Sequence, residues 1–348
     1  MPPGLIAGPA AWYGADLAKR RDWIVELGVE DVAELDRAIQ SFAGSGLEMD
    51  RISPATFKLP NLAARLERML EEILHGRGFV LVRGFPVERY SFEQAAIGYL
   101  GFGSYLGSFR SQNAKGHLLG HVKDIGLDIK DSTTRYYQTN RQLDYHTDSC
   151  DIVGLICLKT AKQGGASRIV SSATLYNEIF KRRPDLLPQL FHPFPTDRRG
   201  EVPPGMLPWF DVPVFNWYGG ELTTIYVGQY IRSAQDNYPA ARRLTAAERE
   251  ALAVFDELAD APELRLQMDF QPGDMQFLHN HQILHSRTDF VDWDEPARRR
   301  HLLRLWLAPR GGRALPPSFA ARYGALTPGA RGGIITKSTK LKIALEAE

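Results

Sequence analysis

Over the first hundred residues, apolar side chains recur at three- and four-residue spacing. Beyond about residue 107 they fall into short runs cut by glycine and proline. In 61–74, Leu62, Leu66, Met69, Leu70, Ile73 and Leu74 share one helical face, and Gly76-Arg77-Gly78 then stops the helix. Helices are also predicted over 15–27, 29–42 and 91–106, the last opening on Ser91 as cap with Gln94 three residues on. A buried strand over 79–82 ends at Arg83-Gly84-Phe85-Pro86. Further strands are predicted at 153–159, 167–172, 212–217, 222–227, 264–270, 275–278, 283–287 and 301–307, with helical patches at 173–190 and 245–258. Many short strands with glycine and proline turns argue for a sandwich or jelly roll rather than a βαβ sheet. No internal repeat is visible. The expected organisation is an N-terminal helical segment over 1–60, the main domain over 61–310 and a tail over 311–348. The tail, rich in glycine, proline and basic residues, reads as a surface arm or a partly disordered segment.

Composition narrows the class. The chain has 348 residues, 44% of them hydrophobic, enough for a large core. Lys plus Arg is 42 and Asp plus Glu is 41, so the net charge of +1 asks for neither nucleic acid nor an anionic membrane. Two cysteines, Cys150 and Cys157, do not make a disulfide framework and fit a reducing compartment. No apolar run approaches the roughly 18 residues of a membrane span. The opening Met1-Pro2-Pro3-Gly4 does not resemble a secretory leader. The expected setting is the cytoplasm and the expected partner a small-molecule substrate, with self-association left open.

The candidate chemistry starts at Asp144-Tyr145-His146-Thr147-Asp148-Ser149. On a strand, His146 and Asp148 point the same way, because side chains alternate faces. They make two thirds of a 2-His-1-carboxylate facial metal site. By itself His-x-Asp is common, and a surface strand with two polar residues would also show it. A third ligand must come from a distant histidine, and His279, His281 and His285 all crowd the segment after the turn Gln271-Pro272-Gly273-Asp274. The strand that follows carries Arg300, Leu302 and Arg304 on one face and His301, Leu303 and Leu305 on the other. A buried arginine needs an anion, and its planar fork suits a carboxylate. Two arginines on one face therefore ask for two carboxylates, or for one carboxylate and a protein acid. A pair of internal salt bridges is the plain structural alternative.

Taken in order, His146-x-Asp148, Gly164-Gly165-Ala166-Ser167, Asn280-x-x-x-x-His285-x-Arg287 and Arg300-x-x-x-Arg304 resemble the taurine dioxygenase and 2,4-dichlorophenoxyacetate dioxygenase (TauD/TfdA) family. With the strand Gly78-Phe79-Val80-Leu81-Val82-Arg83-Gly84, the resemblance covers roughly residues 60 to 310. It implies an α+β fold with a double-stranded β-helix (jelly-roll) core and flanking helices. It implies His146, Asp148 and His285 as Fe(II) ligands, with Arg300 and Ser167 holding the distal carboxylate of 2-oxoglutarate. Arg304 matches a position that in some members holds an anionic group of the primary substrate. The implied activity is O₂-dependent oxidation of an unactivated C–H bond in a small anionic molecule, with release of succinate and CO₂. Asp148 stands where halogenating members lack a carboxylate, which points to hydroxylation, desaturation or a related oxidation. Tyr136, Tyr137, Gln138, Asn140, Arg141 and Asp144 are expected at the pocket mouth, with Tyr137 and Asn140 as substrate contacts. Phe215, Trp217 and Tyr218 are either a second aromatic wall or ordinary core. The rival readings are a zinc hydrolase or cupin-type isomerase on the same three ligands, and a jelly-roll binding protein with a vestigial metal site. The first needs no anion clamp, so Arg300 discriminates it from an oxygenase; the second becomes attractive only if 2-oxoglutarate fails to bind.

Overall fold

A computed structural model of the chain describes residues 1–127 and 135–347. Two sheets face each other. The larger runs β1 (Ile24–Glu26), β2 (Phe79–Arg83), β14 (Met275–His279), β6 (Ile152–Lys159), β17 (His301–Ala308) and β3 (Ser108–Phe109), with β4 (Leu119–Val122) also on β17. The smaller runs β13 (Leu266–Met268), β8 (Ser167–Ser171), β15 (Ile283–Arg287) and β5 (Leu143–His146). Two-stranded pairs complete the set: β7 (Gln163–Gly164) with β16 (Phe290–Val291), β9 (Pro193–Asp197) with β10 (Trp209–Pro213), and β11 (Phe215–Tyr218) with β12 (Glu221–Thr224). This is the expected jelly-roll core of paired sheets with flanking helices, and the sheets do not close into a barrel.

The period of two decides which residues go where. Val80 and Val82 of β2, Phe277 of β14 and Leu303, Leu305 and Leu307 of β17 point outward onto a helical layer of α2 (Val29–Ala43), α3 (Ala63–His75) and α4 (Phe92–Ser104). The intervening Phe79, Leu81, Leu278 and Trp306 point inward and meet Ile169, Leu266, Met268 and Ile283 of the smaller sheet. On the far side of that sheet, Tyr145, Val170 and Leu284 pack against α5 (Ser172–Arg182), α6 (Gly228–Asn237) and α7 (Ala246–Ala259). Arg300, just before β17, and Leu302 and Arg304 within it thus share the inward face with Trp306. The polar residues of the site are delivered by the same alternation that builds the core.

The sequence signals hold for α2, α3, α4 and α7. Ser91 and Gln94 exchange reciprocal backbone hydrogen bonds at the start of α4, at 3.0 and 3.2 Å. The predicted helix at 15–27 is instead the short α1 (Gly14–Leu17) followed by β1. The β-branched pair Ile24-Val25 finds a parallel partner in Leu81-Val82, and that tertiary pairing outweighs local helix propensity. The strand expected at 212–217 breaks between β10 and β11, where Pro213 has no N–H to continue a ladder. Phe215 is buried against Tyr176, Phe191 and Phe255, Trp217 packs on the same cluster and Tyr218 is exposed, so this segment is core rather than a pocket wall.

The tail is not a solvent arm over its described residues. It bridges His117 through Lys342, forms α8 (Ala320–Tyr323) and drives Arg331 into the interior. Both Arg331 and Asp151 are 0% exposed, and Arg331 Nε and Nη2 donate to the Asp151 carboxylate at 2.6–3.0 Å. His281 Nε2 shares the same carboxylate at 2.8 Å. Removing one partner of a buried ion pair leaves the other stranded, so Arg331→Met is expected to cost about 3–5 kcal/mol. Urea unfolding monitored by circular dichroism checks this. A loss below about 0.5 kcal/mol, the size of an ordinary surface change, would show that the tail contributes little to the fold.

Candidate metal centre and its two cavities

In β5 and β15, His146 and His285 are direct cross-strand partners, so their rings lie on one face of the smaller sheet with centroids 4.1 Å apart. Asp148 follows immediately after β5 and turns its carboxylate to both: Oδ1 lies 3.8 Å from His146 Nε2 and Oδ2 lies 3.8 Å from His285 Nε2. One ligand atom from each of the three falls within 4.8 Å of the others, a group able to hold a metal ion. His146 Nδ1 lies 2.9 Å from the carbonyl oxygen of Asp144, which fixes the tautomer and frees Nε2 for the cluster. Burial pushes His146 down and brings His285 to about 3, so both imidazoles are neutral and able to ligate at pH 7. Burial alone would raise Asp148, but Arg304, His285, His146 and the Trp306 hydrogen bond outweigh it and hold the carboxylate ionised.

The Asp148 arm is tied from several sides. Asn280 Oδ1 accepts from Asp148 N at 2.7 Å, and Asn280 Nδ2 donates to the carbonyls of Asp148 and Cys150. Trp306 Nε1 donates to Asp148 Oδ2 at 2.8 Å, and Arg304 Nη1 does so at 3.3 Å. Of the other two candidate histidines, His281 is engaged with Asp151, and His279 is buried beside Arg313. The geometry brings His285, not these two, to the cluster.

Two cavities flank the cluster. One, about 40 Å³, is lined by His146, His285, Ser167, Arg287, Arg300 and Arg304 among others. Arg300 and Arg287 are 4% and 5% exposed, and among the described residues neither meets a carboxylate in an ion pair. Their guanidiniums lie 5.1 and 4.8 Å from the Phe290 ring centre, and Nη1 of each is buried without a partner among the described residues. Burial lowers Arg300 to about 10, and burial together with Arg300 lowers Arg287 to about 9. Gly165, at φ +73°, makes room, since a Cβ there would come within 2.9 Å of Arg300 Nε. Ser167 Oγ exchanges hydrogen bonds with Gln276 at 3.2–3.3 Å. Two orphaned buried guanidinium nitrogens beside a hydroxyl suit the distal carboxylate of 2-oxoglutarate.

The second cavity, about 100 Å³, shares Tyr137, Leu143, His146 and Arg304 with the first and is also lined by Asp148, Arg135, Tyr136, Asp144, Tyr226, Tyr230 and Arg322 among others. Arg304 is held by Gln112 Oε1 at 2.8 Å and by Asp148, and its guanidinium lies against Tyr137 and Trp306. Asp144 instead meets Gln229 and Arg232. Asn140 is exposed and lines neither cavity, while its backbone carbonyl accepts from Phe290 N; Arg141 likewise stays outside. Sequence reasoning passed over Gln112, Trp306, Tyr226, Arg322 and Arg331, and gave Asn280 and Arg287 no role. The last two lay within a quoted motif. The rest carry no local signal.

The sequence profile of the family described as "Taurine catabolism dioxygenase TauD, TfdA family" matches residues 42–306. FR-33289 synthase of Streptomyces rubellomurinus (strain ATCC 31215) is 30% identical over 325 residues, 92% of this chain and 95% of the relative. The taurine hydroxylase-like protein SAT17 of Stachybotrys chartarum (strain CBS 109288 / IBT 7711) is 32% identical over 313 residues, 87% of this chain and 79% of the relative. A crystal structure of asparagine oxygenase in complex with Fe(II), 2S,3S-3-hydroxyasparagine and succinate shares the fold at a TM-score of 0.65 and 17% identity, over 82% of this chain and 93% of that one. With the profile spanning α3, α4, most of both sheets and His146, Asp148 and His285, this chain belongs to the taurine catabolism dioxygenase TauD, TfdA family and is an Fe(II)- and 2-oxoglutarate-dependent dioxygenase.

Proposed function

We propose that His146, Asp148 and His285 hold Fe(II), that Arg300, Ser167 and Arg287 clamp 2-oxoglutarate, and that the enzyme oxidises an unactivated C–H bond of a small anionic molecule, most simply by hydroxylation. The observation that carries this reading is the position of the three ligand atoms. They lie within 4.8 Å of one another and line a small cavity, which holds two arginines without a carboxylate partner among the described residues, and a larger one open to a substrate. Iron and 2-oxoglutarate supply the O₂ activation, with succinate and CO₂ as coproducts. The chain supplies position. Arg300 and Arg287 fix the cosubstrate by its charge, while Trp306 and Arg304 keep Asp148 ionised and aimed. Tyr136, Tyr137 and Tyr230 wall the larger cavity and restrict water there. A non-redox hydrolase would leave the two buried guanidiniums without a purpose.

Anaerobic titration with Fe(II) and then 2-oxoglutarate tests the reading without knowledge of the substrate. A weak visible metal-to-ligand charge-transfer band is expected only when both are present, and its absence would end the assignment. Trp306→Phe is expected to keep the fold and weaken iron binding by about 10- to 100-fold, the usual effect of removing a hydrogen bond to a ligating carboxylate. An unchanged Fe(II) titration would show that the indole N–H does not orient Asp148.

A further inference from the structure

Beside the larger cavity, a groove of about 530 Å³ runs between residues 198–206 and the tail and shares Glu201, Arg322 and Ile334 with that cavity. Three arginines line it: Arg110, Arg198 and Arg322. Arg198 is 2% exposed, and its Nε and Nη2 donate to the carbonyls of Leu207 and Ala321 at 3.0 and 2.6 Å. Arg322 Nε donates to Ser149 Oγ at 2.6 Å, one residue from the metal-facing Asp148. The Arg198 and Arg322 guanidiniums lie 4.9 and 5.6 Å from the ring centre of Phe210. Arg110 donates to the Gly329 carbonyl, and its Nε is buried without a partner among the described residues.

Among the described residues, none of the three forms an ion pair with a carboxylate. The acids nearby are committed elsewhere: Glu201 to Arg135 at 3.2 Å and to Ala114 N at 3.1 Å, and Asp151 to Arg331 and His281. Arg304, which also lines the larger cavity, already spends Nη1 on Asp148 and Nε on Gln112. Burial lowers both Arg110 and Arg198, the latter to about 10, so Arg198 remains a cation at pH 7. Clustered, partly desolvated guanidiniums with only carbonyls and a hydroxyl as partners call for an incoming anion. A monocarboxylate neutralises one of them. A phosphoryl-type dianion neutralises two and offers three oxygens to their forks.

We propose that Arg322, with Arg198 and Arg110 lining the same groove, binds a phosphoryl-type dianion on the substrate, which is therefore a phosphate monoester or a phosphonate. This rests on the larger cavity being the substrate site. It moves the anion contact from Arg304, which orients Asp148, to a residue of the tail. The substrate carbon to be oxidised then extends from Arg322 past Ser149 toward His146 and Asp148.

The test uses the anaerobic protein loaded with Fe(II) and 2-oxoglutarate, titrated calorimetrically with methyl phosphate, methylphosphonate, methanesulfonate and acetate. The charge-transfer band is recorded throughout. At least one of the two dianions is expected to bind tenfold or more tighter than either monoanion without displacing the band, and the tighter of the two identifies ester or phosphonate. Arg322→Gln is expected to weaken it at least tenfold, and Arg322→Lys, which keeps the charge but not the fork, to recover part of the loss. Acetate binding as tightly as the dianions, equal dianion binding by wild type and Arg322→Gln, or dianions that bind by bleaching the band would each overturn the proposal. A band that forms with no dianion binding sinks this proposal alone, whereas a wild type that never forms the band sinks the metal and cosubstrate reading on which it rests.

Discussion

His285→Ala and His146→Ala are each expected to abolish the charge-transfer band and substrate-dependent turnover at iron concentrations that saturate the wild type. The reason is geometric. With one imidazole gone, the two remaining donors no longer define a face, and the neighbouring strand offers no substitute. His281 Nε2 is occupied by Asp151, and His279 is buried against Arg313. Neither variant should unfold the chain, since His146 and His285 meet mainly each other and Asp148. His281→Ala should behave in the opposite way: iron stays, but stability drops because the buried Asp151–Arg331 pair loses a hydrogen bond. Fe(II) titration and urea unfolding on all three variants separate the cases. Iron lost from His281→Ala but retained by His285→Ala would show that the third ligand is misassigned.

The second large effect is on the cosubstrate. Arg300→Ala should weaken 2-oxoglutarate by about 2–5 kcal/mol, because it strands a buried carboxylate. That is roughly a 30- to several-thousand-fold rise in the concentration needed to develop the band. Arg300→Lys should recover little, since a point charge does not reproduce the fork. Ser167→Ala removes one neutral hydrogen bond and should cost about 1 kcal/mol. Arg287→Ala should fall between them and also loosen 139–141, because Arg287 Nη2 donates to the carbonyls of Thr139 and Arg141. Equal 2-oxoglutarate affinity in wild type and Arg300→Ala would remove the clamp, and the small cavity would need another occupant.

These residues were legible in the sequence to different degrees, for physical reasons. His146 ends a strand with Asp148 two residues on, and Arg300 stands just before another strand with Arg304 four residues on, within it. Spacing alone carries such information, since period two fixes direction. The helical layer was legible for the same reason, with α3 declaring its buried face through Leu66, Met69 and Ile73. The short β1 was not, because its strand state depends on pairing with β2, far along the chain. The roles of Trp306 and Arg322 were hidden in the same way. An indole N–H aimed at Asp148 looks like any core tryptophan, and Arg322 looks like any basic residue of a loop-rich tail. Arg331 is the clearest case. Nothing local separates it from the arginines around it, yet it is fully buried in a contact that spans the sequence from Asp151.

That contact sets an order of events during synthesis. Asp151 lies just beyond the metal-facing Asp148, and its counter-charge arrives only when Arg331 has been made, about 180 residues later. Until then the emerging chain carries, three residues beyond Asp148, an acid without the guanidinium that neutralises it in the fold. Metal loading is therefore expected late: a chain truncated before Arg331 should bind Fe(II) more weakly than the full chain, even with His146, Asp148 and His285 all present.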